Sequence, residues 1–188
     1  MIDIRPTALP EVLEIVPRRF GDHRGFFSES WNRDAFAAAG LTADFVQDNH
    51  SLSAAAGTLR GLHFQAPPRA QAKLVRVVTG AVRDVAVDIR RGSPRYGQWT
   101  AVDLTEEAGN QLFIPEGFAH GFLTLRPGTH FLYKCTDSYA PEAEGALAWD
   151  DPDLAIDWGL DGGLDTGPTL SEKDAAAPAF AGFDSPFA

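Results

Sequence analysis

The feature that most constrains this fold is a succession of short strand-like runs, each cut off by Gly or Pro. Residues 73–78 are followed by Thr79-Gly80 and then by 81–89, which reads as a hairpin with a Gly-containing turn. Further runs fall at 26–31, 99–104, 111–114, 121–125 and 130–135. Turns are expected at Arg91-Gly92-Ser93-Pro94, Glu107-Ala108-Gly109-Asn110 and Arg126-Pro127-Gly128. Many short strands at this spacing predict an all-β sandwich or barrel rather than a βαβ fold. One helix is legible, with Asn32 as N-cap, helix formers over 33–39 and Gly40 as the stop. A second begins at Ser171-Glu172-Lys173-Asp174, and the Asp- and Gly-rich stretch 150–167 reads as irregular connection. No repeat or composition shift marks a second unit, so residues 1–188 read as one domain with short peripheral helices.

Composition narrows the function classes. Hydrophobic residues make up 44% and charged residues 22%, as in an ordinary globular protein. The formal charge of -10 argues against nucleic acid or an acidic membrane as partner, because the protein's own field repels both. A small anion is compatible with that charge if a few Arg and Lys converge. No apolar run is long enough to span a bilayer, and the opening Met1-Ile2-Asp3-Ile4-Arg5 is not a signal-peptide pattern. The single Cys135 allows no internal disulfide and fits the cytoplasm. Its setting, Phe131-Leu132-Tyr133-Lys134-Cys135, reads as packing.

Two histidines sit in matching apolar frames: His63 in Arg60-Gly61-Leu62-His63-Phe64-Gln65, and His120 in the run 113–122. The second segment, with Gly109, Pro115, Gly117 and His120, matches the latter half of the double motif of the cupin superfamily, whose barrels often hold a metal; Thr124 stands where that motif ends in Asn. The first half is broken. His63 is followed by Phe64 and Gln65 instead of a second His, and Arg69 and Ala70 occupy the positions of the carboxylate. A divalent ion needs three or four deprotonated ligands, and Lys73 adds a repulsive charge nearby. The expectation is therefore a cupin-like double-stranded β-helix, or jelly-roll barrel, without metal.

The chain as a whole resembles the dTDP-4-dehydrorhamnose 3,5-epimerase family, from its first residues to about Phe180. The resemblance rests on ordered blocks at 20–29, 45–51, 59–65, 73–76, 84–90, 113–122 and 131–134, then Tyr139-Ala140-Pro141 and 170–174. It implies a cofactor-independent homodimer that inverts C3 and C5 of a dTDP-4-keto-6-deoxyhexose. Both carbons flank a ketone, so inversion needs a base on one face, an acid on the other and a group to hold the enolate oxygen. The resemblance makes His63 the base, a role that suits an imidazole pKa near neutrality. It makes Tyr133 the proton donor, Lys73 the charge at the C4 oxyanion with His120 nearby, and Asp174 the carboxylate that orients His63. For Asp174 a second reading stays open, because Ser171-Glu172-Lys173-Asp174 is also a helix capping box. Arg24, Arg60 and Lys173 are implied around the diphosphate, with Glu29, Gln47, Asn49 and Glu144 on base, ribose or sugar and Tyr139 stacked on thymine.

Strand parity bears on these roles. Alternation puts Phe131, Tyr133 and Cys135 on one face and Leu132 and Lys134 on the other, and it groups Lys73 with Val75 and Val77. It also puts Arg60 opposite His63, unless Gly61 bends the strand. Three other functions fit parts of the pattern: a single-centre epimerase of antibiotic sugar biosynthesis, a non-catalytic sugar-binding cupin, and a metal-dependent oxygenase.

Overall fold

A computed structural model describes residues 2–160 and 167–188. Thirteen strands run in chain order: β1 (Ile2–Pro6), β2 (Leu13–Pro17), β3 (Arg19–Asp22), β4 (Gly25–Ser28), β5 (Gln47–Ser53), β6 (Leu59–Gln65), β7 (Lys73–Thr79), β8 (Ala81–Asp88), β9 (Trp99–Thr105), β10 (Gln111–Ile114), β11 (Phe118–Thr124), β12 (Thr129–Cys135) and β13 (Glu144–Ala146). Two short helices, α1 (Arg33–Ala38) and α2 (Glu172–Ala175), lie outside the sheets. One sheet has the order β1-β2-β10-β7-β12-β5 and the other β13-β6-β11-β8-β9, with every pairing antiparallel. The expected all-β, cupin-like jelly roll is the fold observed.

The two sheets face each other across a core that draws on both. Val75 and Val77 of β7, Leu112 and Ile114 of β10, and Phe131 of β12 meet Val82 and Ala86 of β8, Leu104 of β9, and Phe118 and Phe122 of β11. Odd-numbered β8 residues Val85 and Val87 point the other way and are covered by Leu147, Leu154, Trp158 and Phe187. Strand β8 is thus buried on both sides, which is why it reads as a near-continuous apolar run. On the far side of the larger sheet, α1 seats the fully buried Phe36 against Ile15 and Leu74. Asn32 caps α1 by accepting the Ala35 N–H at 3.1 Å, as its sequence position predicted.

Two expectations need correction. Strands β7 and β8 do not form a hairpin, because β7 pairs with β10 and β12 while β8 pairs with β9 and β11. Gly80, at φ +89°, turns the chain from one sheet to the other, and both strands bury a face in the shared core. The run 26–31 forms a strand only to Ser28. Trp31 leaves it to pack edge-on to Phe45 and against Phe36. The β3–β4 hairpin pairs with neither main sheet, and Phe20, Phe26 and Phe27 on it are 51%, 62% and 69% exposed. Residues 149–159 run as turns and irregular chain, in keeping with the stretch expected over 150–167; residues 161–166 of that stretch lie outside the described ones.

Candidate active site

Five strands, three from one sheet and two from the other, supply the walls of one cavity. From the larger sheet, β12 presents Phe131 and Tyr133 inward, β7 presents Lys73, and β5 presents Ser51. From the smaller sheet, β6 presents Arg60 and His63, and β11 presents His120 and Phe122. Phe122 and Phe131 stack at 4.0 Å between ring centres and close the floor. The cavity holds about 450 Å³, and its rim is completed by Thr169, Leu170, Ser171, Lys173 and Asp174 of the C-terminal segment. That segment is fixed by a parallel bridge between Thr58 and Thr169, with the Leu59 N–H donating to Thr169 at 3.0 Å.

The parity conflict between Arg60 and His63 is settled by a bulge. His63 pairs with His120 and Arg60 with Phe122, so β6 carries one more residue than β11 between the two pairs. Gly61 is the extra residue, at φ +134°, and a side chain there would collide with the main chain of Gly121. With the register slipped by one, Leu59 and Leu62 pack outward while Arg60 and His63 both line the cavity. The parity expected for Phe131, Tyr133 and Cys135 holds without adjustment.

His63 Nε2 lies 2.6 Å from Asp174 Oδ1, with Asp174 only 4% exposed. The 171–174 segment both caps α2 and partners His63, but the reciprocal capping-box bond to the Asp174 side chain is not made. Ser171 Oγ accepts the main-chain N–H of Asp174 at 3.1 Å, which leaves the Asp174 carboxylate free for His63. Burial lowers the His63 pKa below its ordinary value, and the Asp174 charge opposes that shift. Burial likewise lowers Lys73, opposed by the neighbouring Cys135, Asp84 and Glu144, and raises the Tyr133 phenol. A neutral imidazole therefore faces a protonated phenol, the resting states that a base and an acid need.

Gln47, Asn49, Tyr139 and Glu144 line an adjoining hollow of about 210 Å³ that shares His63, Lys73 and Tyr133 with the main cavity. Glu144 links the two: it accepts from Tyr139 Oη at 3.0 Å and pairs with Lys173 at 2.5 Å. Of the thirteen residues expected in the site, eleven meet here. Arg24 and Glu29 do not. Arg24 is exposed on the β3–β4 hairpin, paired with Asp22 at 2.6 Å, and Glu29 follows that hairpin on the surface.

Two residues not expected from the sequence join the site. Asp84 on the inner face of β8 is fully buried, and both its oxygens lie 3.0 Å from His120 Nε2. A carboxylate in phase with Val82 and Ala86 is the signal that marks it. Ser51 Oγ is buried at the cavity wall without a hydrogen-bond partner among the described residues. Among those residues no group of three or more His, Cys, Asp and Glu is arranged to hold a metal ion. The Nε2 atoms of both cavity histidines are instead committed to carboxylates.

Comparison with known proteins bears directly on this site. The family model described as dTDP-4-dehydrorhamnose 3,5-epimerase matches residues 6–182. The chain is 54% identical over 178 residues to a dTDP-4-dehydrorhamnose 3,5-epimerase of Pseudomonas aeruginosa, covering 94% of this chain and 95% of that one. It is 51% identical to the Salmonella typhimurium enzyme of the same name, with 95% of each covered. A crystal structure of dTDP-6-deoxy-D-glucose-3,5-epimerase RmlC from Legionella pneumophila, in complex with dTDP-4-keto-L-rhamnose, superposes with a TM-score of 0.91 at 48% identity, covering 98% of this chain and 95% of that one. Matched over residues 6–182 and about half identical to these relatives along nearly its whole length, this chain belongs to the dTDP-4-dehydrorhamnose 3,5-epimerase family.

Proposed function

We infer that the chain is an isomerase that inverts C3 and C5 of dTDP-4-dehydro-6-deoxy-D-glucose to give dTDP-4-dehydro-L-rhamnose. The observation that carries the reading is the placement of His63 and Tyr133 on opposite sheets across one cavity. Neutral His63 takes the proton from a carbon next to the C4 ketone, and Asp174 stabilises the imidazolium that forms. The electron pair moves onto O4, where Lys73 and His120 meet the developing negative charge. Tyr133 then delivers a proton to the other face of the same carbon. Each inversion leaves His63 protonated and Tyr133 deprotonated, and exchange with solvent resets the pair before the second centre reacts.

Arg60 and Lys173, both exposed at the cavity mouth, supply the cations that a diphosphate needs in an acidic protein. The Lys173–Glu144 pair opens toward the phosphates, and Tyr139 stacks on the thymine beside Gln47 and Asn49. Arg24 and Glu29 reach a site only if a second copy of the chain contributes its hairpin. We therefore propose a two-fold dimer in which the exposed Phe20, Phe26 and Phe27 dock on the partner and carry Arg24 and Glu29 to its cavity. No helix among the described residues is long and apolar enough to cross a membrane. A cytoplasmic location is the reading that the free Cys135 supports.

Incubation with dTDP-4-keto-6-deoxyglucose in heavy water tests the function. NMR at C3 and C5 is expected to show deuterium entry and inversion at both centres. Exchange at one centre alone would make the chain a single-centre epimerase, and no exchange would leave a sugar-binding protein. For the dimer, light scattering is expected to give about twice the 20.3 kDa chain mass. Charged substitutions at Phe26 and Phe27 are expected to dissociate the dimer and abolish turnover together.

A further inference from the structure

We propose that Asp84 is a positioning residue for the epimerisation, fixing the His120 ring so that its remaining nitrogen, Nδ1, donates a proton toward the C4 oxyanion. The inference rests on the epimerase reading above and adds a residue to it. Asp84 sits at 0% exposure on the inner face of β8, between Val82 and Ala86 and opposite Phe122 and Val102 in the register of the neighbouring strands. Among the described residues, its side chain hydrogen-bonds only to His120, whose Nε2 is 3.0 Å from each oxygen. His120 lines the cavity while Asp84 does not, so Asp84 acts on the reaction through the imidazole.

The chemistry follows from which nitrogen is occupied. With Nε2–H donated to Asp84, a neutral His120 offers only a lone pair at Nδ1, which repels an enolate. An enolate oxygen therefore needs Nδ1–H, and the Asp84 carboxylate is placed to accept the Nε2–H of a ring that carries it. The converse also holds: a carboxylate this deeply buried stays anionic only beside cations, and His120 and Lys73 are the two that oppose its desolvation. Burial raises the Asp84 carboxyl and lowers the Lys73 ammonium, and the charge of each opposes the shift of the other. Stability alone explains the pair poorly, because an apolar replacement of similar volume serves a core about as well.

Asp84→Asn keeps the shape and the acceptor but removes the charge. The expected result is a fall of about 10- to 100-fold in the rate of deuterium entry at C3 and C5, short of the ~10²–10³ that follows outright loss of an oxyanion donor. The effect should fall on kcat with dTDP affinity unchanged, a split that a merely structural residue does not produce. In the background His120→Gln, Asp84→Asn should cost no further rate. A second measurement needs no change at Asp84: ¹⁵N NMR of the wild-type protein, with the ring assigned by His120→Gln, should show Nε2 of His120 protonated. Exchange in folded Asp84→Asn within threefold of wild type, an additional loss in the double variant, or an unprotonated Nε2 each overturns this inference alone. A wild-type protein that exchanges neither proton overturns the epimerase reading and this inference with it.

Discussion

Replacing Asp174 by Asn separates the two jobs that meet at the start of α2. The helix cap uses the Asp174 main-chain N–H on Ser171 Oγ, so it survives the substitution and thermal stability should change little. What is lost is the negative charge 2.6 Å from His63 Nε2. Two unit charges about 4 Å apart between their centres interact by ~4 kcal/mol at an effective dielectric constant of ~20. His63 is 30% exposed and Asn retains a dipole, so about half of that is a fair lower bound. A loss of about 2–4 kcal/mol in stabilising the imidazolium-like transition state corresponds to roughly 30- to 10³-fold in rate. The readout is deuterium entry at C3 and C5 in single-turnover conditions. The pH profile supplies an independent sign. Burial already holds His63 below its ordinary 6.5, so the acid limb of kcat/KM should lie under that pH in wild type. Removing Asp174, which opposes the shift, should move the limb lower still. Exchange within threefold of wild type, or a limb that moves upward, would refute the His63–Asp174 pairing as a catalytic one.

Other substitutions probe the remaining walls. Tyr133→Phe should allow deuterium entry without inversion, since His63 returns exchanged protons to the original face, and should slow epimerisation by about 10²–10⁴; full inversion in this variant would remove Tyr133 as the acid. Arg60→Gln should weaken dTDP binding by about 1.5–3 kcal/mol, as calorimetry would show, and an unchanged Kd would take Arg60 out of the diphosphate site. Gly61→Ala should cost about 2–5 kcal/mol, combining a disfavoured φ with collision against the Gly121 main chain, and lower Tm by roughly 4–20 °C. A Gly61→Ala protein as stable as wild type would show that the bulge relaxes easily.

The legible parts of the sequence were those where burial and parity agree. Strands β7 to β12 announce themselves because their inward residues are apolar for most of their length, and the Phe131-Tyr133-Cys135 face follows directly. Strand β5 carries no such signal: its inward residues, Gln47, Asn49, Ser51 and Ser53, are polar because they line the cavity side of the sheet, so the usual alternation is lost. The β7–β8 corner was misread for a related reason. A single Gly between two apolar runs is the same in a hairpin and in a turn between sheets, and only the partners β10 and β11, distant in sequence, decide. Asp84 was hidden in plain view, one charge in the apolar phase of β8. Arg24 and Glu29 lie on and just after a hairpin that pairs with neither main sheet, away from the cavity.

The bulge at Gly61 also says something about length. Same-side residues on a regular strand stand two apart, about 6.6–6.8 Å; Arg60 and His63 are three apart in sequence but face Phe122 and His120, which are two apart, so the bulge folds one extra residue into that same span. Without the extra glycine, alternation would send the two side chains to opposite faces of the sheet; with it, a guanidinium and an imidazole share one cavity on a strand no longer than its partner.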